Sequence, residues 1–291
     1  MTIHSSEIFA EGKQLILAPM VRVTTLPFRL LCLEYGADLA YSEEIVDHKM
    51  LCCRRIVNGM LRIHFIFIRY ESGFADLDAL NTIDFSLPGE RYPIFRTCDE
   101  ERDKVVFQMG TSDPERAVQV AKLIEADVAA IDINMGCPKD FSVLGGMGCA
   151  LLQDPLKIAK LDSTLEVCKL IERCGASALA VHGRTRTDRP DSNNRNSDIS
   201  TICRMLNIPV IANGGSNDIS DYQSMENFRN QTGCEKLMIA RAAKRNPSIF
   251  SASGLMDLNR IVCDYLKYVS GFSNVAVAII DWFIFVALSH P

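Results

Sequence analysis

The chain has 291 residues, 48% hydrophobic and 23% charged, a soluble globular balance long enough for one large single-core domain. Its net charge of −5 excludes a general basic face for nucleic acid, so any RNA contact must be local. Eleven cysteines, scattered singly apart from the adjacent Cys52 and Cys53, form no CxxC pair, and an odd number cannot pair completely. They are expected to be reduced thiols, which points to the cytoplasm. The segment Met1 to Glu7 carries neither the basic region nor the apolar core of a secretory signal.

Taken in chain order, apolar runs that end in small or polar residues occur at Leu15 to Met20, Asp38 to Glu44, Lys104 to Gly110, Ala129 to Gly136, Ala178 to Arg184, Pro209 to Gly215 and Lys236 to Ala242. Each is followed by a helical pattern. Continuous apolar strands alternating with helices predict an α/β fold, a TIM (β/α)8-type barrel spanning residues 1–250. Seven runs are present where a closed barrel has eight. Between Gly136 and Ala178, residues Ile158, Leu161, Leu165, Cys168 and Ile171 recur at helical spacing with no strand between them. One βα unit is therefore expected to be missing, its strand lost near residues 160–165.

Two further segments break the rhythm. Residues 61–92 contain the strand-like run Leu61 to Ile68 without a helix partner, and are expected to be an insertion. Residues 251–291 are expected to be a shortened helical segment with an apolar tail. That tail, Val275 to Leu288, is about 14 residues long and carries Asp281, short of the roughly 20 residues of a membrane span, so no stable membrane association is expected.

In a parallel barrel the strand ends and the loops after them build the site. Here the runs end in Ala18-Pro19-Met20, Ser42-Glu43-Glu44, Gln108-Met109-Gly110, Asn134-Met135-Gly136-Cys137, His182-Gly183-Arg184, Asn213-Gly214-Gly215 and Ala240-Arg241-Ala242. Gly214 and Gly215 can let backbone N–H groups approach a phosphate, and Arg241 can add a charge-assisted bond. Gln108 and His182 suit the polar edge of a flat heteroaromatic ring such as a flavin. The stretch Arg184 to Arg189, Arg22 and Lys139 are the candidates for local RNA contact, although such a stretch is as often a solvated loop. No metal site is expected.

The words Leu17 to Val23, Ser42 to Glu44, Val106 to Gly110, Asp132 to Lys139, Gly145 to Gly148, Val181 to Arg184, Ile211 to Gly215 and Ala240 to Ala242, in this order, resemble the tRNA-dihydrouridine synthase family, most of all its eukaryotic position-20 branch. The resemblance implies a flavoprotein oxidoreductase that reduces a uridine in tRNA to 5,6-dihydrouridine, with FMN recharged by NADPH. It implies that Cys137 gives the proton to C5 of the uracil, while hydride reaches C6. A thiol with a pKa near 8.5 is mostly protonated at pH 7 yet acidic enough for this task. By the same resemblance the FMN contacts fall on Pro19, Met20, Val21, Gln108, His182, Asn213, Gly214, Gly215, Ala240 and Arg241. The substrate contacts fall on Glu43, Asn134, Arg22, Lys139 and Arg184. The family's fifth-strand lysine, an FMN contact, has no counterpart in this sequence. Three alternatives stay open: a flavin barrel acting on a free pyrimidine, a non-catalytic RNA-binding or interaction protein, and an incomplete gene product.

Overall fold

The computed structural model describes residues 8–9, 12–58, 81–153, 164–185, 187–188 and 191–270. The expected strand at Leu61 to Ile68, the first part of the helical pattern after Gly136 including Ile158 and Leu161, residues Arg186 and Arg189, and the tail Val275 to Leu288 lie outside the described residues.

All seven predicted runs form strands: β1 (Gln14–Leu17), β2 (Leu39–Tyr41), β7 (Val105–Gly110), β8 (Ala130–Ile133), β9 (Leu179–His182), β10 (Val210–Asn213) and β11 (Lys236–Ile239). They pair in parallel in the order β8-β7-β2-β1-β11-β10-β9, a sheet curled on itself as in a barrel. Among the described residues no strand lies between β8 and β9, and these two do not pair. Among the described residues the sheet therefore has two unpaired edges, β8 and β9, in the interval where a missing βα unit is expected; residues 154–163 of that interval lie outside the described residues. In that interval the helix Thr164–Arg173 forms as its spacing predicts, with Cys168 buried.

The period of two along each strand separates two apolar layers. Inward-facing Ile16, Ala18, Leu39, Tyr41, Val106, Ile211 and Met238 fill the interior, and Ile8 and Phe9 join them at the N-terminal end. Outward-facing Leu15, Leu17, Val210, Ala212, Leu237 and Ile239 pack against the helices Leu26–Glu34, Asn196–Met205, Tyr222–Thr232 and Leu258–Ser270. The helix starts are set locally. Asp113 accepts from the backbone N–H groups of Glu115 and Arg116 ahead of Pro114–Ile124. Asp221 and Ser224 form a reciprocal capping box ahead of Tyr222–Thr232, which ends at Gly233 in the left-handed region.

The interval after β2 holds a short strand β3 (Ile45–Val46) and a separate antiparallel sheet of β4 (Arg54–Asn58), β5 (Thr82–Ser86) and β6 (Phe95–Cys98). This sheet docks on the outer face of β7. Phe85 stacks on Phe95 at 5.9 Å, and Phe95 meets Phe107 edge-on at 5.1 Å.

A buried ion pair fixes that docking. Arg29, on the first helix, donates to both carboxylate oxygens of Glu101 at 2.8 and 2.5 Å and to the carbonyls of Thr24 and Arg96 at 2.7 Å. Thr97 donates to the same carboxylate at 2.9 Å. Both side chains are almost fully buried, 2% and 0% exposed, so removing one charge strands the other. Glu101→Gln is expected to lower stability by about 3–5 kcal/mol, read as a fall in the urea midpoint; a midpoint equal to that of the parent chain would contradict this.

Candidate active site

The site begins with a register shift. Tyr41 pairs with Val106 and Ile45 with Met109, so the three residues Ser42, Glu43 and Glu44 stand opposite two, Phe107 and Gln108. This is a β-bulge, which re-aims side chains beside it. The Ser42 hydroxyl takes over part of the broken ladder, accepting from the Gln108 N–H at 2.9 Å and donating to the Glu43 carbonyl at 2.9 Å. The two glutamates then diverge. Glu43 accepts from the backbone N–H of Arg22 at 2.8 Å, holding that residue at φ 64° in the loop after β1. Glu44 lies flat against β7: a Cβ on Gly110 would stand 2.8 Å from Glu44 Oε1. Glycine at the end of β7 is thus the condition for Glu44 to turn toward the mouth.

The loop after β8 brings Cys137 to Glu44. Asn134 Oδ1 accepts from the N–H groups of Gly136 and Cys137, both at 3.0 Å, which folds the loop back on the strand end. The Asn134 amide donates to Gln108 Oε1 at 3.2 Å, and Gln108 Nε2 donates to Asp132 at 2.8 Å. The Cys137 thiol stands beside the Glu44 carboxylate, and Ser142 Oγ donates to Glu44 Oε1 at 3.1 Å. Burial pushes the half-buried thiol above its ordinary value and the nearby Glu44 charge adds to this, against bonds from the Lys139 backbone and Ser142. Burial likewise raises Glu44, opposed by its bonds from Cys137 and Ser142. Asp132, beneath them in the interior, is raised by burial and then by Glu44, against the Gln108 bond.

The opposite side of the mouth is basic. β9 and β10 align His182 with Asn213, and Gly214 follows at φ 104°. A Cβ on Gly214 would meet Asn194 Oδ1 at 2.1 Å and His182 Cε1 at 3.2 Å. Arg184 donates to the Gly214 carbonyl and to the Ser192 carbonyl, each at 2.7 Å. Its Nη2 is buried without a hydrogen-bond partner, as is Asn194 Oδ1. Arg241, the first residue of the helix Arg241–Arg245, has its pKa lowered by burial and then by Arg184 and Arg245. His182 stands in a hollow that solvent reaches; the surrounding protein, then Arg184 and Arg241, lower its pKa, so the ring is neutral at pH 7. Two guanidiniums that repel each other, an orphaned N–H donor and a glycine cradle together make a place for an anion.

All the candidates read from the sequence lie on strand ends or the loops after them, in two groups with the β1 loop between. Cys137, Asn134 and Gln108 form one hydrogen-bonded chain on the β7 and β8 side. His182, Asn213, Gly214, Gly215, Ala240 and Arg241 belong to the β9, β10 and β11 side. Pro19 and Met20 are half-buried in the β1 loop, while Val21, Arg22 and Lys139 are exposed at the rim. Arg184 is anchored beside Gly214, not at the rim, and Glu43 is committed to the Arg22 backbone. Four residues at the site escaped the sequence reading: Glu44, Ser142, Asp132 and Asn194. For Glu44 a signal existed, an acid doublet on one strand facing a terminal glycine on the next.

Three stretches of the chain, residues 16–63, 87–165 and 156–263, match the family described as Dihydrouridine synthase (Dus). A tRNA-dihydrouridine(20) synthase (NAD(P)+) of Schizosaccharomyces pombe is 35% identical over 288 residues, covering 88% of this chain and 56% of that protein. The Saccharomyces cerevisiae protein of the same name is 33% identical over 277 residues, covering 81% of this chain and 66% of its own length. The tRNA-dihydrouridine synthase B of Escherichia coli is 30% identical over 262 residues, covering 81% and 70%. The chain thus spans between about half and two thirds of the two yeast proteins.

The cradle carries its own test. Gly214→Ala forces a side chain into a left-handed conformation and into Asn194, and is expected to cost about 1–3 kcal/mol. Gly136→Ala, where a Cβ meets nothing within 4 Å, is expected to stay within about 0.5 kcal/mol. Urea unfolding of both variants compares them; equal midpoints would overturn the reading of Gly214.

Proposed function

The chain belongs to the dihydrouridine synthase family, and from that premise we propose that it reduces a uridine of tRNA to 5,6-dihydrouridine, holding FMN and taking electrons from NADPH. The observation that carries the reading is Cys137, a thiol kept protonated at the C-terminal mouth of a parallel barrel, in one hydrogen-bonded chain with Asn134 and Gln108. The activity belongs to the barrel, residues 1–250; the segment from 251 contributes the helix Leu258–Ser270, whose Ile261, Tyr265 and Val269 join the barrel's outer core. We place it in the cytoplasm, where its free thiols stay reduced. Among the described residues no helix is long and apolar enough to cross a membrane.

The residues present fit FMN at its charged end. Arg184 with its unpartnered Nη2, Arg241 and the Gly214-Gly215 cradle would take the phosphate. Gln108 and neutral His182 would meet the polar edges of the ring, with Pro19, Met20, Val21, Asn213 and Ala240 lining the rest. When bound, the flavin supplies hydride to C6 of the uracil. The chain's own contribution is the proton at C5: the Cys137 S–H bond breaks as the C5–H bond forms, and the negative charge spread into the C4 carbonyl is quenched. Arg22 and Lys139 at the rim would contact the RNA backbone around a uridine turned out of its stack, which costs a few kcal/mol and least in a loop.

One observation favours a second reading. Among the described residues β8 and β9 do not pair, on the side from which the resemblance brings a fifth-strand lysine to the flavin, which suits a chain that keeps the fold and the RNA contact but not the cofactor. Titration of the purified apoprotein with FMN separates the two, since a protein that stays colourless and unquenching cannot be the reductase. For the enzyme, Cys137→Ala is expected to retain FMN binding and flavin reduction by NADPH while uridine reduction falls roughly 10²- to 10⁴-fold. Undiminished dihydrouridine formation in that variant, measured by mass spectrometry of tRNA digests, would place the acid elsewhere.

A further inference from the structure

The bulge in β2 brings a second acid to the thiol, and its geometry asks for a role. Glu44 has no salt-bridge partner among the described residues; its carboxylate accepts from Ser142 Oγ at 3.1 Å, and the Cys137 thiol stands beside it, since Gly148 backs both Ser142 Oγ and Cys137 Cβ. Ser142 is fully buried, and the absent side chain of Gly110 leaves the room beside β7 that the carboxylate occupies. The charged or titratable groups around the pair are Asp132, below Glu44 on β8, and Cys137 itself; Gln108, Asn134 and Ser142 are neutral, and Lys139 contributes its backbone to Cys137.

We propose that Glu44 is a positioning residue for the proton donor: its carboxylate orients the Cys137 S–H, keeps the sulfur in the thiol form, and makes the sulfur recover a proton after each transfer. The idea rests on the proposed role of Cys137. Like charges within a few ångströms disfavour each other's ionised forms. A thiolate formed beside Glu44 faces a carboxylate with no cation to offset it, so ionisation before substrate arrives is suppressed. Once the thiol has given its proton to C5, thiolate and carboxylate share the site, and their repulsion draws one proton from solvent to the pair. That proton ends on sulfur, the S–H bond re-forms, and Glu44 is again the carboxylate that accepts it. No oxidant or reductant beyond the proposed reaction is involved. The two groups titrate as a pair, so the measurable quantity is the apparent midpoint of thiolate formation.

That midpoint is accessible without cofactor or tRNA. Iodoacetamide alkylation of the purified apoprotein, followed by mass spectrometry of the peptide containing Cys137, gives its rate as a function of pH. Glu44→Gln is expected to move the midpoint down by about one pH unit, raising the alkylation rate near pH 7.5 about tenfold. Ser142→Ala keeps the carboxylate and removes a bond that stabilises the thiolate, so its midpoint is expected to stay or rise. Cys32 and Cys98, both buried, report unfolding: they must remain unlabelled in each variant. A midpoint unchanged in Glu44→Gln, or moved the same way in both folded variants, would overturn the proposal. If the parent protein shows the shift but never forms dihydrouridine with FMN, NADPH and tRNA, it is the reductase reading that fails. If it does turn over, the alkaline limb of the Glu44→Gln pH profile is expected to move down by the same amount while flavin reduction by NADPH is unchanged.

Discussion

The pairing of β1 with β11 is the constraint from which the rest of the molecule follows. All four residues of β1 are in register with β11, Gln14 with Lys236 through Leu17 with Ile239, and the bonds Gln14 N–H to Glu235 and Ala18 N–H to Ile239 extend the ladder at both ends. A chain of βα units need not curl; an open sheet with helices on both faces satisfies the same local pattern. Joining the first strand to the last strand, more than 200 residues away, turns the inward faces of all the others toward one axis. Only then do Ile16, Tyr41, Val106, Ile211 and Met238 share one interior, and only then do the loops after β1, β10 and β11 open on the same mouth as Cys137.

Opposite that ladder β8 and β9 do not pair among the described residues, and the composition of these two edges bears on what that costs. Unpaired backbone groups are expensive when buried but inexpensive when water reaches them. Here Ala180 and His182 of β9 and Ile133 of β8 are exposed, so their backbone is not sealed from solvent. Of the apolar residues packed against the interior cluster, those beside the gap are Ala129, Ala130 and Ala178, each offering a single methyl group. At roughly 0.8 kcal/mol per carbon group removed from water, an open flank lined by alanines forfeits far less than one lined by leucines. The larger interior side chains cluster on the β1, β2, β10 and β11 side, where the ladder is continuous.

How much of this was legible in the sequence depends on how local the cause is. The seven strands were, because strands buried on both faces are uninterrupted apolar runs: six runs contain their strands, and β1 begins one residue before its run. The antiparallel sheet was not: β5 lies inside the segment expected as an insertion, residues 61–92, with β4 and β6 on either side of it, and what makes β5 and β6 strands is docking of Phe85 and Phe95 on Phe107, a distant contact. The bulge was illegible for a deeper reason. One strand's register against another is not written in either strand, so nothing in Ser42-Glu43-Glu44 alone tells which glutamate faces the thiol. The sequence pointed to Glu43 for the substrate pocket and said nothing of Glu44; register brings Glu44 beside the thiol and Glu43 to the Arg22 backbone.

The same register divides the mouth by charge. β2, β7 and β8 contribute Glu44, Asp132 and the thiol, three groups that lose protons to become anions, each raised by burial and none offset by a cation in the contacts they make. The loops after β9 and β11 contribute Arg184 and Arg241; Arg184 helps to lower Arg241 and carries a buried donor without a partner. A ligand with an anionic end and a flat neutral end meets opposite conditions on the two sides. Its anion gains a charge-assisted bond beside β9 to β11 and would be repelled beside β2 to β8, where a neutral acceptor of a proton is favoured instead. Orientation therefore does not need a dedicated residue. It follows from which strands carry acids and which carry arginines, and among the described residues the unpaired edges of β8 and β9 fall on the boundary between the two fields.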